Sequence, residues 1–403
     1  MNSCQYYLIS QKMEGIKMRN EGSISILHVV FLTMTFIGLK NHVTIIPSIL
    51  QTAGRDGWAS VLLGALGIFI WVFLLVYVHN NSNQEPIKDW LKQRIGKVST
   101  AIVLYGTAFY LLLLAAFTMR ETLLWVSTTF LHNTPFIILL IIFILLVMFL
   151  AASGLQTIVI VNVFVLTGVV ILGFFVAFVN LQVKDYGLLR PFFEHGFQPV
   201  LMGTIYPSSG FVELLMLLFI QHKIQKRMRW YHFALILVIL TGLTIGPLVG
   251  AITEFGPTEA AKQRYPAYEE WGLARIGRFI EHIDFFSIYQ WLTGTFLRVG
   301  FILFVCADIL NISSDKKQVW SLLAPPFLFI CLSLTLFREN VFIAINERYF
   351  LISTFFFFII LSLFLTIVAL TSRKSVTKDK DKNDQKSGEE QSNQVKTTQN
   401  TTQ

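Results

Sequence analysis

The chain has 403 residues, of which 54% are apolar and 14% charged. Soluble domains run at roughly 45–50% and 25%, so an ordinary soluble enzyme is excluded. Of the 56 charged residues, 12 fall in the last 33 positions and 5 in the first 22, which leaves a long middle suited to lipid. The three cysteines, Cys4, Cys306 and Cys331, stand at unrelated spacings and form neither a disulfide framework nor a zinc ligand set.

In chain order, residues 1–22 lack the apolar core of a signal peptide and are predicted to be a cytoplasmic N-terminal extension, with Met13 and Met18 as alternative starts to Met1. Runs of about 20 apolar residues then mark spanning helices within a permease-like domain over 23–371. Ten are predicted, at 24–51, 57–80, 99–131, 135–152, 157–181, 199–221, 230–253, 279–309, 318–336 and 349–371. Between the second and third, residues 85–97 place Ile87, Trp90, Leu91 and Ile95 on one helical face with basic residues opposite, which suits the membrane interface. Residues 372–403 are polar and charged with no aromatic, so they are predicted to be a disordered cytoplasmic tail.

An even number of spans puts both termini on one side. With the termini cytoplasmic, that side carries nineteen Lys and Arg residues against nine outside, the asymmetry expected of an inner face. The net charge of +8 then faces anionic lipid, and no basic patch with interleaved aromatics suggests nucleic acid.

Two spans carry interruptions. In the first, Phe36-Ile37-Gly38-Leu39 meets Lys40, Asn41 and His42. In the sixth the break is Gly203-Thr204-Ile205-Tyr206-Pro207-Ser208-Ser209-Gly210. Hydrocarbon cannot satisfy backbone groups freed by such breaks, so they mark places where protein or a wet cavity supplies partners. They fall in the first helix of each five-helix half, as in transporters built from inverted repeats with a solute site near the midplane. The expected fold is therefore an all-α integral membrane protein with a 5+5 inverted repeat and discontinuous helices 1 and 6.

Ionisable residues inside spans are Lys40, Arg120, Glu121, Glu213 and Arg298. Buried charges pair or line a pathway. By distance from the span ends, Lys40, Arg120 and Glu121 lie in the outer half and Glu213 and Arg298 in the inner half, which allows Glu213–Arg298 and Lys40–Glu121 pairs. Each pair could be a static bridge, a gating latch or a proton-coupled switch. Tyr105, Thr107 and Tyr110 of the third span and Tyr289, Thr293 and Thr295 of the eighth are candidates for a polar wall. No nucleotide loop, zinc motif, nucleophile elbow or clustered His/Cys/Asp set occurs, so no enzyme, cofactor or metal is expected.

Several outer-loop strings carry a resemblance: Ala53-Gly54-Arg55-Asp56-Gly57-Trp58, then Leu189-Arg190-Pro191 with Glu194-His195-Gly196, then Tyr265-Pro266-Ala267-Tyr268 with Arg275-Ile276-Gly277-Arg278-Phe279-Ile280-Glu281-His282-Ile283-Asp284. Together they resemble the endospore germination permeases, the B subunits of nutrient germinant receptors, over roughly 23–370. The resemblance implies a member of the amino acid-polyamine-organocation superfamily, LeuT-like in fold, in the spore inner membrane. There it would sense a small-molecule germinant with an A subunit and a lipoprotein C subunit. Receptor rather than carrier is implied by the resemblance alone; an ion-coupled amino acid transporter is the alternative. On this reading the germinant docks between Gly38-Leu39-Asn41 and Tyr206-Pro207-Ser208-Ser209-Gly210, with Tyr110, Thr293 and Phe296 shaping its side-chain pocket and the five buried charges acting as gates or ion pairs.

Overall fold

The structure, a computed structural model, describes residues 23–275 and 283–371. The N-terminal extension, the polar tail and most of the Arg275–Asp284 string lie outside the described residues. Within the bilayer every backbone N–H and C=O needs a partner from its own segment, and long apolar runs meet that need as helices. Among the described residues nine helical segments are long and apolar enough to cross a membrane, and a tenth, Phe136–Ala152, is 17 residues long.

The first span is α1 (Ile26–Leu39), a π-helical turn (Lys40–Thr44) and α2 (Ile46–Ala53). Ser25 caps α1, its hydroxyl accepting from the His28 amide at 3.3 Å. The second span is α3 (Gly57–Asn81). The long α4 (Ile87–Thr129) contains both the interfacial segment and the third span, joined at Gly96. There φ is +78°, which glycine adopts without the Cβ clash that burdens other residues. Ile87, Trp90 and Leu91 of the interfacial segment are buried, so its apolar face is covered by the bundle.

The chain continues through α5 (Phe136–Ala152) and α6 (Leu155–Val179). The sixth span follows as α7 (Phe197–Gly203), α8 (Ile205–Phe211), a 3-10 stretch (Val212–Leu215) and α9 (Met216–Phe219). The seventh is α10 (Trp230–Phe255), followed by α11 (Pro257–Ala260) and α12 (Pro266–Leu273). The eighth and ninth are α13 (Phe286–Ile309) and α14 (Lys316–Thr335), the latter capped by Asp315. The last span starts at α15 (Glu339–Ile345), passes a second π turn (Asn346–Phe350) and ends in α16, residues 351–371. It begins ten residues before the sequence-based boundary at 349, because Asn346, Glu347 and Arg348 are wound into the helix instead of forming a loop.

The sixth and eighth spans form the centre: 72% and 78% of their most apolar windows are buried, against 22% for the fifth. The fifth and the ninth, the latter 33% buried, therefore face outward from the bundle. Loop contacts show the expected alternation of sides. Ile24 pairs with Ile224, and Gln221 reaches His79, Ser82 and the Glu85 carbonyl on one face. On the opposite face Arg55 meets Glu194, Lys184 meets Glu254 and Arg264 meets Glu339.

The two interruptions differ from the sequence expectation in kind. Neither span unwinds. The first widens into a π turn, with the Ile45 amide reaching the Lys40 carbonyl at 3.2 Å. The sixth stays right-handed through Thr204 and tightens to 3-10 at Val212–Leu215. Pro207 lies only two residues into α8, where its missing N–H removes a single bond.

Candidate functional site

At Lys40 the winding changes, and its amide turns to the Ile37 carbonyl. The Phe36 carbonyl is thereby free to accept from Arg298 Nη1 of the eighth span. Arg298 also forks onto Glu213 of the sixth, Nη1 to Oε2 at 2.7 Å and Nη2 to Oε1 at 2.9 Å. Lys40 Nζ completes the group at 3.1 Å from Glu213 Oε1 and 2.9 Å from the Ser209 carbonyl. All three side chains are 5% exposed or less. The carbonyls at the two changes of winding are thus held by the protein's own cations. A bidentate Arg–carboxylate fork is the geometry in which a buried pair is strongest.

The expected Lys40–Glu121 pair does not form. Lys40 bonds Glu213, and Glu121 instead accepts from the Thr44 hydroxyl at 3.0 Å. Lys40 and Glu213, read at different depths, meet through their side chains. The π turn rotates Lys40 toward the sixth span and leaves Thr44 beside Glu121. Arg120 points away, donating to the Phe337 carbonyl at 2.6 Å and lying 4.2 Å over the Phe342 ring.

The first and sixth spans touch directly. Asn41 Nδ2 lies 3.4 Å from the Pro207 carbonyl and from Thr244 Oγ1, and a Cβ at Gly210 would collide with the Asn41 amide. Ser209 Oγ bonds its own chain at Tyr206, and Ser208 packs against Gly64 of the second span. The space between these strings is occupied by Lys40, Asn41 and Glu213.

The cavity lies to one side. It has about 360 Å³ of empty space and is lined by Leu39, Lys40, Thr44, Leu114, Phe117, Thr118, Glu121, Thr122, Trp291, Arg298, Asn346, Phe350 and Leu351. Part of that volume is open solvent, and the crevice itself has room for about one water. Leu39, Lys40, Glu121 and Arg298 of the sequence-derived set line it; Gly38, Asn41, Tyr206, Pro207, Ser208, Ser209 and Gly210 do not. Tyr110 bonds Ser353 and Thr354 and stacks 3.9 Å from Phe357, while Thr293 bonds its own backbone at Tyr289 and Phe296 is half-buried against the core. Tyr105 is 66% exposed on the bundle surface, so it is no part of an inner wall. Thr295 is buried and meets Thr122 at 2.7 Å.

Sequence reasoning missed Thr44, Thr118, Thr122, Trp291, Asn346 and Phe350. One signal was available. Asn346-Glu347-Arg348 interrupts an apolar run as Lys40-Asn41-His42 does, and both interruptions become π turns whose residues line this cavity. Single-turn π bulges inside helices concentrate at functional sites. Thr44, Glu121 and Asn346 also wall a second space on the face of the Arg264–Glu339 pair, with Arg264, Tyr265, Phe342, Ile343 and Glu347; its volume of about 250 Å³ includes open solvent, and the enclosed part takes one water at most.

A family model described as "Spore germination protein" matches residues 23–343, most of the chain. The chain belongs to this family. It is 38% identical over 338 residues to Spore germination protein XB of Bacillus anthracis, covering 82% of this chain and 94% of that one. It is 25% identical over 294 residues to Spore germination protein A2 of Bacillus subtilis (strain 168), covering 72% and 78%. Spore germination protein KB of the same organism is 22% identical over 362 residues, covering 87% and 96%. With its apolar helices, membership makes the chain an integral membrane protein of the spore germination family, and the crevice is the natural place to look for its function.

Proposed function

We propose that this chain is a germinant-sensing subunit of the spore inner membrane, both termini cytoplasmic, working with A and C partner subunits. A small nutrient, an amino acid or a solute of similar chemistry, binds in the crevice between the first, third, eighth and tenth spans. The observation that carries this reading is the distribution of charge around the crevice. Lys40 and Arg298 share one carboxylate, Glu213, so its floor holds one positive charge in excess, and Glu121 stands on its wall. A carboxylate is attracted to the floor and an ammonium to Glu121, while Phe117, Trp291 and Phe350 offer apolar contact.

Because the crevice is narrow, binding requires a wider state, and the ligand shifts the bundle only by its difference in affinity between the two states. The two π turns are the places where a change of winding widens it. The bundle is read as two five-helix halves of opposite topology, which sets the first and sixth spans facing each other.

Filling the crevice tests the reading. Thr118→Phe is expected to abolish nutrient-triggered germination at normal membrane levels, and Thr118→Ser to retain it; a Thr118→Phe chain that still responds places the ligand elsewhere. The alternative, an ion-coupled amino acid transporter, draws on Thr44, Glu121 and Asn346, which line both the crevice and the second space, read as lying on its outer side. Ion-driven accumulation of labelled solute in vesicles supports it, whereas binding without accumulation supports the sensor.

A further inference from the structure

Arg264 lines the outer space, and its guanidinium has an edge that forms no hydrogen bond among the described residues. Arg264 sits in the loop before α12, its Nη1 held by Glu339 of α15 and its guanidinium 4.9 Å from the centre of the Tyr265 ring. Its Nε and Nη2 are enclosed, and among the described residues neither has a hydrogen-bond partner. These two nitrogens form the side edge of the guanidinium fork, whose parallel N–H groups match the two oxygens of a carboxylate. Leaving both enclosed and unbonded is costly unless a ligand uses them.

We infer that the space beneath Arg264, in the wider state that binding requires, is an outer docking subsite for the charged backbone of an α-amino acid, with the carboxylate on Arg264 Nε and Nη2 and the ammonium toward Glu347 and Glu121. Glu121 and Glu347, with Glu339 already on Arg264 Nη1, make the space unwelcoming to a simple anion, and an isolated cation would meet Arg264. A zwitterion satisfies both. Thr44, Glu121 and Asn346 belong to this space and to the crevice, so a solute released from Arg264 needs only to slide past them to reach Lys40 and Arg298. The outer subsite meets the two charged groups that every α-amino acid carries, and the deeper crevice holds them again at Lys40, Arg298 and Glu121 and adds apolar contact for the side chain. The inference rests on the nutrient being an amino acid.

The test uses the full chain in nanodiscs with Cys4→Ser and a reporter thiol, Ile343→Cys, in the wall of the outer space. The other cysteines, Cys306 and Cys331, are buried. Labelling of the reporter by a charged methanethiosulfonate is followed with glycine, glycinamide or acetate added. Glycine is expected to slow labelling, and glycinamide and acetate to leave it unchanged. Arg264→Lys keeps the charge but loses the fork and is expected to weaken glycine protection about tenfold, as is Arg264→Gln. Protection by glycinamide equal to that by glycine, or protection that survives Arg264→Lys, overturns the inference. Adding Thr118→Phe separates the two readings: protection that persists with the crevice filled belongs to the outer subsite, and protection lost there belongs to the crevice and refutes it.

Discussion

Glu213→Gln is the most informative single change, because among the described residues Glu213 alone is an anion bonded to two buried cations. At 3.1 Å, with an effective dielectric constant near 20, a unit pair attracts by about 5 kcal/mol before desolvation. Removing one partner of a buried pair costs about 3–5 kcal/mol, chiefly because the remaining charge is stranded. Glu213→Gln raises the formal charge of the group from one to two positive charges, so thermal unfolding in detergent is expected at a midpoint several degrees lower. Adding Lys40→Met returns the group to one positive charge. The double variant is therefore expected to be more stable than Glu213→Gln alone, a favourable coupling that a double-mutant cycle reads directly. If Lys40→Met instead destabilises the Glu213→Gln background, stranded charge is not what the triad controls, and the argument for an electrostatic floor to the crevice fails.

Two further changes test the packing and the outer loop. Gly210→Ala puts a methyl group onto the Asn41 amide and is expected to cost about 1–3 kcal/mol, read as lower thermal stability with unaltered membrane insertion; a neutral result would mean that the first and sixth spans are not in tight contact. Glu270 of α12 is buried over Gly250, and burial first, then the nearby Glu254, pushes its carboxyl well above the usual carboxylate range. A raised acid binds more protons folded than unfolded, so its contribution is full at low pH and is lost as pH climbs from the ordinary carboxylate range through the raised value. Hydrogen exchange in 266–273 is expected to speed up over that window beyond the intrinsic rate, and Glu270→Gln to flatten the response; equal slopes in the two proteins would dismiss the effect.

The sequence alone determined that this is an all-α membrane chain, because hydrocarbon admits helices and demands about 20 apolar residues for each; nine of its ten predicted spans meet that length among the described residues. It also marked Lys40, Glu121, Glu213 and Arg298 as expensive residues that need partners. Which partner each found was decided only by the tertiary structure. A π turn inserts one residue into the helical register, and that rotation carried Lys40 to Glu213 and left Glu121 to Thr44. Composition does not encode such a rotation. The same limit hid Asn346 and Phe350, which enter the crevice because the tenth helix begins earlier than its apolar run and bulges where its polar residues fall. The polar strings in the first and sixth spans correctly located irregular winding, but close approach at Gly210 and the reach of Lys40 filled the space between them. The cavity opened where the first, third, eighth and tenth spans diverge, a consequence of how four helices pack together and not of any one of them.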